Sequence, residues 1–433
     1  MTPPQSNWGL PPTHPVPREQ RARMGVYLHV PFCPHICPYC DFVKTSRFSR
    51  AGVGAFLESA LASARVHLPR YVAWARAARA ETQADEKPWA TLYFGGGTPG
   101  LFDASSYAAI VAEVRTHVRL EEFTIETNPY ANSERRFEDY AALGVDRITL
   151  GAQSLCASAL TFLGRKHTPE DVLRSLAQAR EAGLAQIQAD LIYGLVRGVR
   201  TLSVREEVLR LAEAGATGIS AYALTLEERT VFARRADAPT DDDVAADEYA
   251  ELLQACAEAG FAQRETSNFS SYPSRHNNIY WYGLPYLGLG TGAHGLFPPA
   301  ADAPFGTRYR VGAPPSERAP GDDALAFEND TERARLFALE EEPARDAAAY
   351  LSESIFTLLR TPTGLPEAWL AEVATPESRA QLRSDARIAR GIESGVLTWD
   401  ENGLRIAPAE KIRGDGWCAV CASALVAVAV TPG

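Results

Sequence analysis

No hydrophobic segment of the chain is long enough to span a bilayer; the late apolar run at residues 422–430 is too short. An excess of basic residues is also missing. The 43 Lys and Arg are outnumbered by 54 Asp and Glu, giving a net charge of −11, which argues against a general nucleic-acid binder. Residues 1–24 lack the apolar core of a secretory signal and are studded with Pro and Arg, so they read as a disordered leader. The expected compartment is the cytoplasm, with membrane contact only through a partner. Cysteine is sparse, seven in 433 residues, and three of the seven sit in one short loop. That usage fits a reducing compartment in which thiolates stay free for metal.

What is present begins with a hydrophobic content of 46%, enough for a large core and for one barrel plus a smaller domain. Helical segments end at Leu143-Gly144, Ala182-Gly183, Ala214-Gly215 and Ala259-Gly260, each followed at once by a strand-like run. Glycine just past a helix is a left-handed stop. Thr168-Pro169-Glu170-Asp171 opens one of these helices with a capping residue and acids in the first turn, Thr201 or Ser203 opens another, and Asp103 a third. Strand, helix and glycine in steady alternation predict parallel βαβ units. Six fit before Gly260, which predicts an α/β fold of the partial (β/α)6, TIM-like barrel type.

The stretch that organises the chain is YLHVPFCPHICPYCDF at residues 27–42, where Cys33, Cys37 and Cys40 form a C-x3-C-x2-C spacing after a short alternating strand. Three adjacent thiolates can hold three irons of a 4Fe–4S cluster and leave the fourth open to S-adenosylmethionine (SAM). Tetrahedral zinc would need His29 or His35 as a further ligand and favours paired cysteines split into two halves, and three neighbouring cysteines cannot pair evenly as disulfides. Downstream, Thr91-Leu-Tyr-Phe94 ends in Gly95-Gly96-Gly97-Thr98-Pro99. Residues without a Cβ let backbone approach a ligand, or serve a tight turn. Later strands deliver Glu126, Gln153 and Asp190 to their carboxyl ends, with Arg165 close by. An amide, a guanidinium and carboxylates can hold hydroxyls and a carboxylate if they converge on one rim.

The cysteine loop with the glycine motif resembles the radical-SAM superfamily, and within it the branch of HemW-type heme chaperones and oxygen-independent coproporphyrinogen III oxidases. The resemblance covers about residues 25 to 300. It implies a 4Fe–4S cluster on Cys33, Cys37 and Cys40, and SAM held by Tyr27, Tyr39, Gly96, Gly97, Thr98, Glu126, Gln153, Arg165 and Asp190. Thr225-Leu-Glu227 resembles a family Leu-Thr-x-Glu segment, whereas Gly194-Leu195-Val196 departs from the usual Gly-Leu-Pro. His276-Asn-Asn-Ile-Tyr-Trp281 resembles a signature of the HemW branch, which implies heme beside Tyr280 and Trp281 with His276 as axial ligand; a packed core strand is the plainer reading, and His294 is a second candidate ligand. The oxidases carry a further cysteine two positions after the third, where this chain has Phe42, and an N-terminal substrate extension. The expected function is therefore a heme chaperone that passes heme to an unknown acceptor protein. The alternative is a radical-SAM oxidoreductase acting on a tetrapyrrole. Either implies an electron donor such as flavodoxin or ferredoxin.

The barrel is expected over residues 25–296, a Pro- and Gly-rich linker over 297–325, and a C-terminal domain over 326–433. Helices at 347–359 and 380–394, the second stopped by Gly395, and a hairpin around Asp400-Glu-Asn-Gly403 suggest a winged-helix-like α+β module. Its acidic run at residues 340–342 makes DNA binding a poor fit, so it is expected to cover the barrel mouth or dock a partner. Cys418 and Cys421 read as ordinary thiols, and Cys156 and Cys256 as packing residues.

Overall fold

The computed structural model describes residues 22–78, 86–129, 136–234, 240–312 and 325–429. Most of the expected leader, and Pro314, Pro315 and Pro320 of the expected linker, lie outside them. The first half alternates β1 (Met24–Val30), α1 (Arg50–Ala77), β2 (Trp89–Gly96), α2 (Ala104–His117), β3 (Arg119–Thr127), α3 (Arg136–Leu143), β4 (Arg147–Gln153), α4 (Ala157–Phe162), α5 (Pro169–Glu181), β5 (Gln186–Tyr193), α6 (Val204–Glu213) and β6 (Gly218–Ala223). Then come α7 (Asp242–Glu258), β7 (Ala262–Gln263), β8 (Asn268–Ser270), α8 (Arg275–Trp281), β9 (Tyr286–Leu289), β10 (His294–Leu296), β11 (Arg308–Val311), α9 (Asp330–Leu336) and β12 (Leu339–Glu341).

All twelve strands belong to one sheet in the order β12-β11-β10-β9-β1-β2-β3-β4-β5-β6-β8-β7. Strands β1 to β6 are parallel, as the six-unit pattern predicts. The pattern does not reveal β9, a seventh parallel strand that pairs with β1, or the antiparallel strands at both edges. The edge strands β12 and β7 do not pair, so the barrel stays open.

The two-residue period of a strand sorts side chains into two environments. Val26, Leu28, Leu92, Phe94, Ile125, Ile148 and Leu191 join the buried core under the helices. Their neighbours Tyr27, Thr91, Tyr93, Glu122, Glu126, Arg147, Gln188 and Asp190 are polar and turn to the other face. The glycine stops hold: Gly144, Gly183, Gly215 and Gly260 have φ of +94°, +79°, +114° and +76°. Thr168 with Asp171, and Ser203 with Glu206, form reciprocal capping boxes. Asp103 sits at the cap position of α2 but makes no capping hydrogen bond there; its carboxylate lies 3.6 Å from Arg136.

Residues 276–281, read above as a packed strand, are a helix. Ser274 caps α8 by accepting from the Asn277 N–H. The Glu122 carboxylate, fully buried, accepts from the backbone N–H groups of Arg275 at 2.8 Å and His276 at 2.9 Å. Thr91 and Glu122, paired in register near the starts of β2 and β3, thereby hold α8 against the amino end of the barrel.

The sheet also runs through the expected linker. β11 lies inside 297–325, and Phe327 and Leu336 pack in the same core as β1. A separate core begins with Leu351 on α10 (Ala347–Leu359) and includes Trp369 on α11 (Glu367–Val373). The predicted helix at 380–394 is two, α12 (Pro376–Ser384) and α13 (Ala386–Glu393), because Asp385 caps the second through the Arg387 N–H. The hairpin β13 (Leu397–Asp400) and β14 (Gly403–Ile406) follows as predicted, then α14 (Gly414–Ala429). Cys418 and Cys421 are buried in this core, in keeping with ordinary thiols. The unit packs through α10 against α8, at the end opposite the cysteine loop, and through the segment before α14 against α7, where the Pro408 carbonyl accepts from Tyr249 OH at 3.2 Å; the Arg360 carbonyl accepts from Thr266 Oγ1 at 3.5 Å. Among the described residues, no helix is long and apolar enough to cross a membrane.

Candidate functional site

At the carboxyl ends of the parallel strands is a cavity of about 140 Å³ whose wall includes Cys33, Cys37, Tyr39, Cys40, Gly96, Gly97, Thr98, Glu126, Gln153, Arg165 and Asp190. The three cysteines and the polar residues singled out in the sequence thus meet in one place, as expected of a site at this end of an α/β barrel. Tyr27 does not reach the wall; its hydroxyl is 3.1 Å from His29 Nδ1.

The glycines answer to the protein's own packing. A Cβ on Gly97 would fall 2.7 Å from the Phe32 carbonyl oxygen and 2.8 Å from that of Val30. The turn is in fact bonded to the start of the cysteine loop there, Gly97 N to Val30 O and Thr98 N to Phe32 O, both at 2.8 Å. Gly96 has φ +106° and lies over His29, whose Nε2–H donates to the Val43 carbonyl at 2.7 Å. His29 is thus a buttress of the loop, not a metal ligand.

Each cysteine meets a different environment. Burial pushes the Cys33 thiol up to about 12, with Thr98 Oγ1 at 3.8 Å opposing, and burial also raises Cys40. Burial raises Cys37 too, but the contact to His35 at 3.7 Å and the Arg165 guanidinium, 3.2 Å from the sulfur, more than offset it and bring the thiol to about 7. Arg165 also donates to the Gly151 carbonyl at 3.0 Å and to Asn128 Oδ1. Asn128, which in turn donates to Thr98 Oγ1 at 2.9 Å, was not singled out in the sequence, nor was the buried Lys44, which donates to the Phe42 carbonyl at 3.0 Å. A lysine four positions after Cys40 was the available signal for the second. Asn128 had none beyond its place at a strand end.

The carboxylates divide the work. Glu126 accepts from Tyr93 OH at 2.7 Å and from the Gly96 N–H at 3.0 Å, so it secures the glycine turn while facing the cavity; burial raises it. Asp190 keeps Oδ1 buried with no hydrogen-bond partner among the described residues. Burial, and then the neighbouring Glu126, push its carboxyl up to about 8. Gln153 is the sole non-glycine residue among those described with positive φ, +65°. Such strain, on the order of 1–3 kcal/mol, persists where surroundings enforce it and clusters at ligand sites.

The residues expected to meet heme lie elsewhere. His276 is 0% exposed. Its Nδ1 shares a hydrogen bond with Thr91 Oγ1 at 2.7 Å and its Nε2 with Tyr280 OH at 2.6 Å. The ring stacks on Tyr93 at 4.9 Å, and burial lowers its pKa to about 3. With both nitrogens engaged, His276 offers no lone pair to an iron, and the core reading replaces the axial-ligand one. Tyr280 is taken up in the same contact. Trp281 ends α8 half-buried, its Nε1 without a hydrogen-bond partner among the described residues. His294 opens β10, exposed, and is not in a turn.

The fold and this cysteine-lined cavity define a radical SAM protein: residues 27–197 match the Radical SAM superfamily. That class implies a 4Fe–4S cluster and SAM, and the donor set fits them, since three sulfurs share a cavity with an unpartnered carboxylate oxygen. Among known proteins, the chain is 32% identical over 278 residues to the heme chaperone HemW of Haemophilus influenzae, covering 63% of this chain and 70% of that one. It is 35% identical over 301 residues to HemW of Mycobacterium tuberculosis, covering 66% and 72%. The chain belongs to the HemW family. A solved structure of similar fold is the coproporphyrinogen III oxidase HemN of Escherichia coli, with a TM-score of 0.69 and 17% identity over 92% of this chain and 89% of that one.

Proposed function

We propose that the chain is a heme chaperone of the radical-SAM type, which binds heme and a SAM-liganded 4Fe–4S cluster and passes the heme to an acceptor protein. The observation that carries the reading is the meeting of Cys33, Cys37 and Cys40 with the unpartnered Asp190 oxygen in one cavity, in a chain of the HemW family. When bound, the cluster supplies an electron and an iron site open to SAM. The protein's part is placement. Cys33, Cys37 and Cys40 hold the cluster, and Arg165 screens the Cys37 thiolate and faces the SAM carboxylate. Asp190, Glu126 and Gln153 accept from the amine and the ribose hydroxyls, and Tyr39, Gly96, Gly97 and Thr98 shape the wall. Tyr27 acts from below through His29. An electron donor of flavodoxin or ferredoxin type would reduce the cluster.

Coproporphyrinogen oxidation is the second reading, favoured by the shape shared with HemN. Against it stands Phe42, 64% exposed at the position where the oxidases have a further cysteine. The test is to reconstitute the cluster anaerobically and offer hemin and coproporphyrinogen separately. Stoichiometric hemin binding without consumption of coproporphyrinogen is expected. Turnover without hemin binding reverses the assignment.

A further inference from the structure

A second cavity, of about 390 Å³, lies at the seam between the barrel sheet and the C-terminal unit and shares no lining residue with the cysteine cavity. Trp74 on α1, Phe297 after β10, Phe305, and Tyr350 and Leu351 on α10 make it aromatic and apolar. Phe305 stacks on Tyr350 at 4.8 Å. Two features of its wall suit an occupant with hydrogen-bond-accepting acid groups. The Trp74 indole, 7% exposed, has a buried Nε1 with no hydrogen-bond partner among the described residues, and an indole N–H can only donate. In addition, the wall carries one cation, Arg345, whose guanidinium donates to the Phe305 carbonyl and, at 2.8 Å, to Glu353 Oε2, an oxygen that Arg308 outside the wall also reaches at 2.7 Å. A groove at a domain seam, apolar with a few convergent polar groups, is the usual form of a ligand site, and this volume is near the lower end of the usual range of about 300–1,000 Å³.

We infer that this seam cavity seats one edge of a planar, apolar macrocycle bearing carboxylates, a tetrapyrrole of heme type, with its acid groups toward Arg345 and Trp74. The inference rests on the heme-binding reading above. A cavity that takes one edge leaves the rest of the ring outside, as a carrier that must release its load requires. The 276–281 segment then has a positioning role. His276 bonds Tyr280 OH, the Tyr280 ring meets Tyr286 edge-on at 4.6 Å, and Tyr286 OH accepts from Arg308 at 3.4 Å. Arg308 shares Glu353 with Arg345, at the cavity wall. Gly283 and Pro285, just past α8, line the cavity directly.

The test is a hemin titration of the full-length, anaerobically reconstituted protein, followed by the porphyrin absorption band. Ala347 is an exposed residue at the cavity wall, so Ala347→Trp places an indole over the opening without disturbing the core. Hemin binding should weaken about tenfold or more in Ala347→Trp and severalfold in Arg345→Gln. Both variants should keep the wild-type response of the reduced cluster to SAM, which also reports that they fold. Iron-free protoporphyrin should compete with hemin, having the same ring and acid groups. If the wild type binds hemin and both variants bind it equally well, the seam assignment is overturned while the heme-binding reading stands. If the wild type binds no hemin, both are overturned.

Discussion

The two ends of the barrel are lined by the same kinds of side chain and use them in opposite ways. At the amino end, Glu122, Thr91, His276, Tyr280 and Ser274 satisfy one another around the first turn of α8. At the carboxyl end, a carboxylate oxygen of Asp190 is buried without a partner among the described residues and Gln153 holds a left-handed backbone. Burying an unpaired polar group costs on the order of 1–3 kcal/mol, which a ligand bonded to that oxygen would offset. Polar residues at the closed end build the fold, whereas at the open end the Asp190 oxygen is left over from it and is the group that the proposed function assigns to a ligand.

Substitutions at the two ends should separate these roles. The largest effect is expected from Cys37→Ala, which should bring iron and labile sulfide after anaerobic reconstitution close to zero while leaving the circular dichroism spectrum unchanged. Glu122→Ala should do the reverse. It strands the Arg275 and His276 N–H groups in a buried site, costing about 3 kcal/mol in chemical denaturation, without altering cluster content in the protein that remains folded.

Acidity gives a third contrast. His276 has its pKa held down to about 3, by burial first and then by Arg147, and the other groups around it are Thr91, Tyr280, Tyr27 and Tyr93. The unfolded chain takes up a proton below about 6.5 that the native ring refuses until about 3. Stability contributed by the neutral ring is therefore whole above pH 6.5 and is lost by about 1.4 kcal/mol per pH unit as the pH falls through that window. His276→Gln should lower stability at pH 7.5 and flatten the fall between pH 6.5 and 4; an unchanged slope would mean that the ring is not buried neutral. The smallest change is expected from Gln153→Gly, which relieves the positive φ. Stability should move by less than about 1 kcal/mol, while SAM binding to the reconstituted protein weakens.

The open end was the legible one. The strands that reach it announce themselves by alternating or β-branched runs, and the helices between them stop at glycines that need positive φ, so Glu126, Gln153 and Asp190 could be placed at strand ends from the sequence. The cysteine spacing is local and carries its own chemistry. The closed end was not legible, because α8 is seven residues of aromatic and polar character with no helical period, and what makes it a helix is Glu122, 153 positions earlier. Likewise β9 becomes a strand by pairing with β1, and β11 by pairing with β10 and β12. The Tyr309 hydroxyl accepts from the Gly288 N–H at 2.8 Å, a contact between distant segments that no window of sequence contains. The break at Asp385 is different in kind: its capping chemistry was visible, but the apolar spacing ran on across it.

The most direct test of the account is the electron paramagnetic resonance spectrum of the reduced, anaerobically reconstituted protein, recorded with and without SAM alongside chemical analysis of the metal. The account predicts about four iron and four sulfide per chain and a signal that changes when SAM is added, with the change lost in Asp190→Asn while the iron remains. Zinc without labile sulfide, or a cluster whose signal ignores SAM, would contradict it.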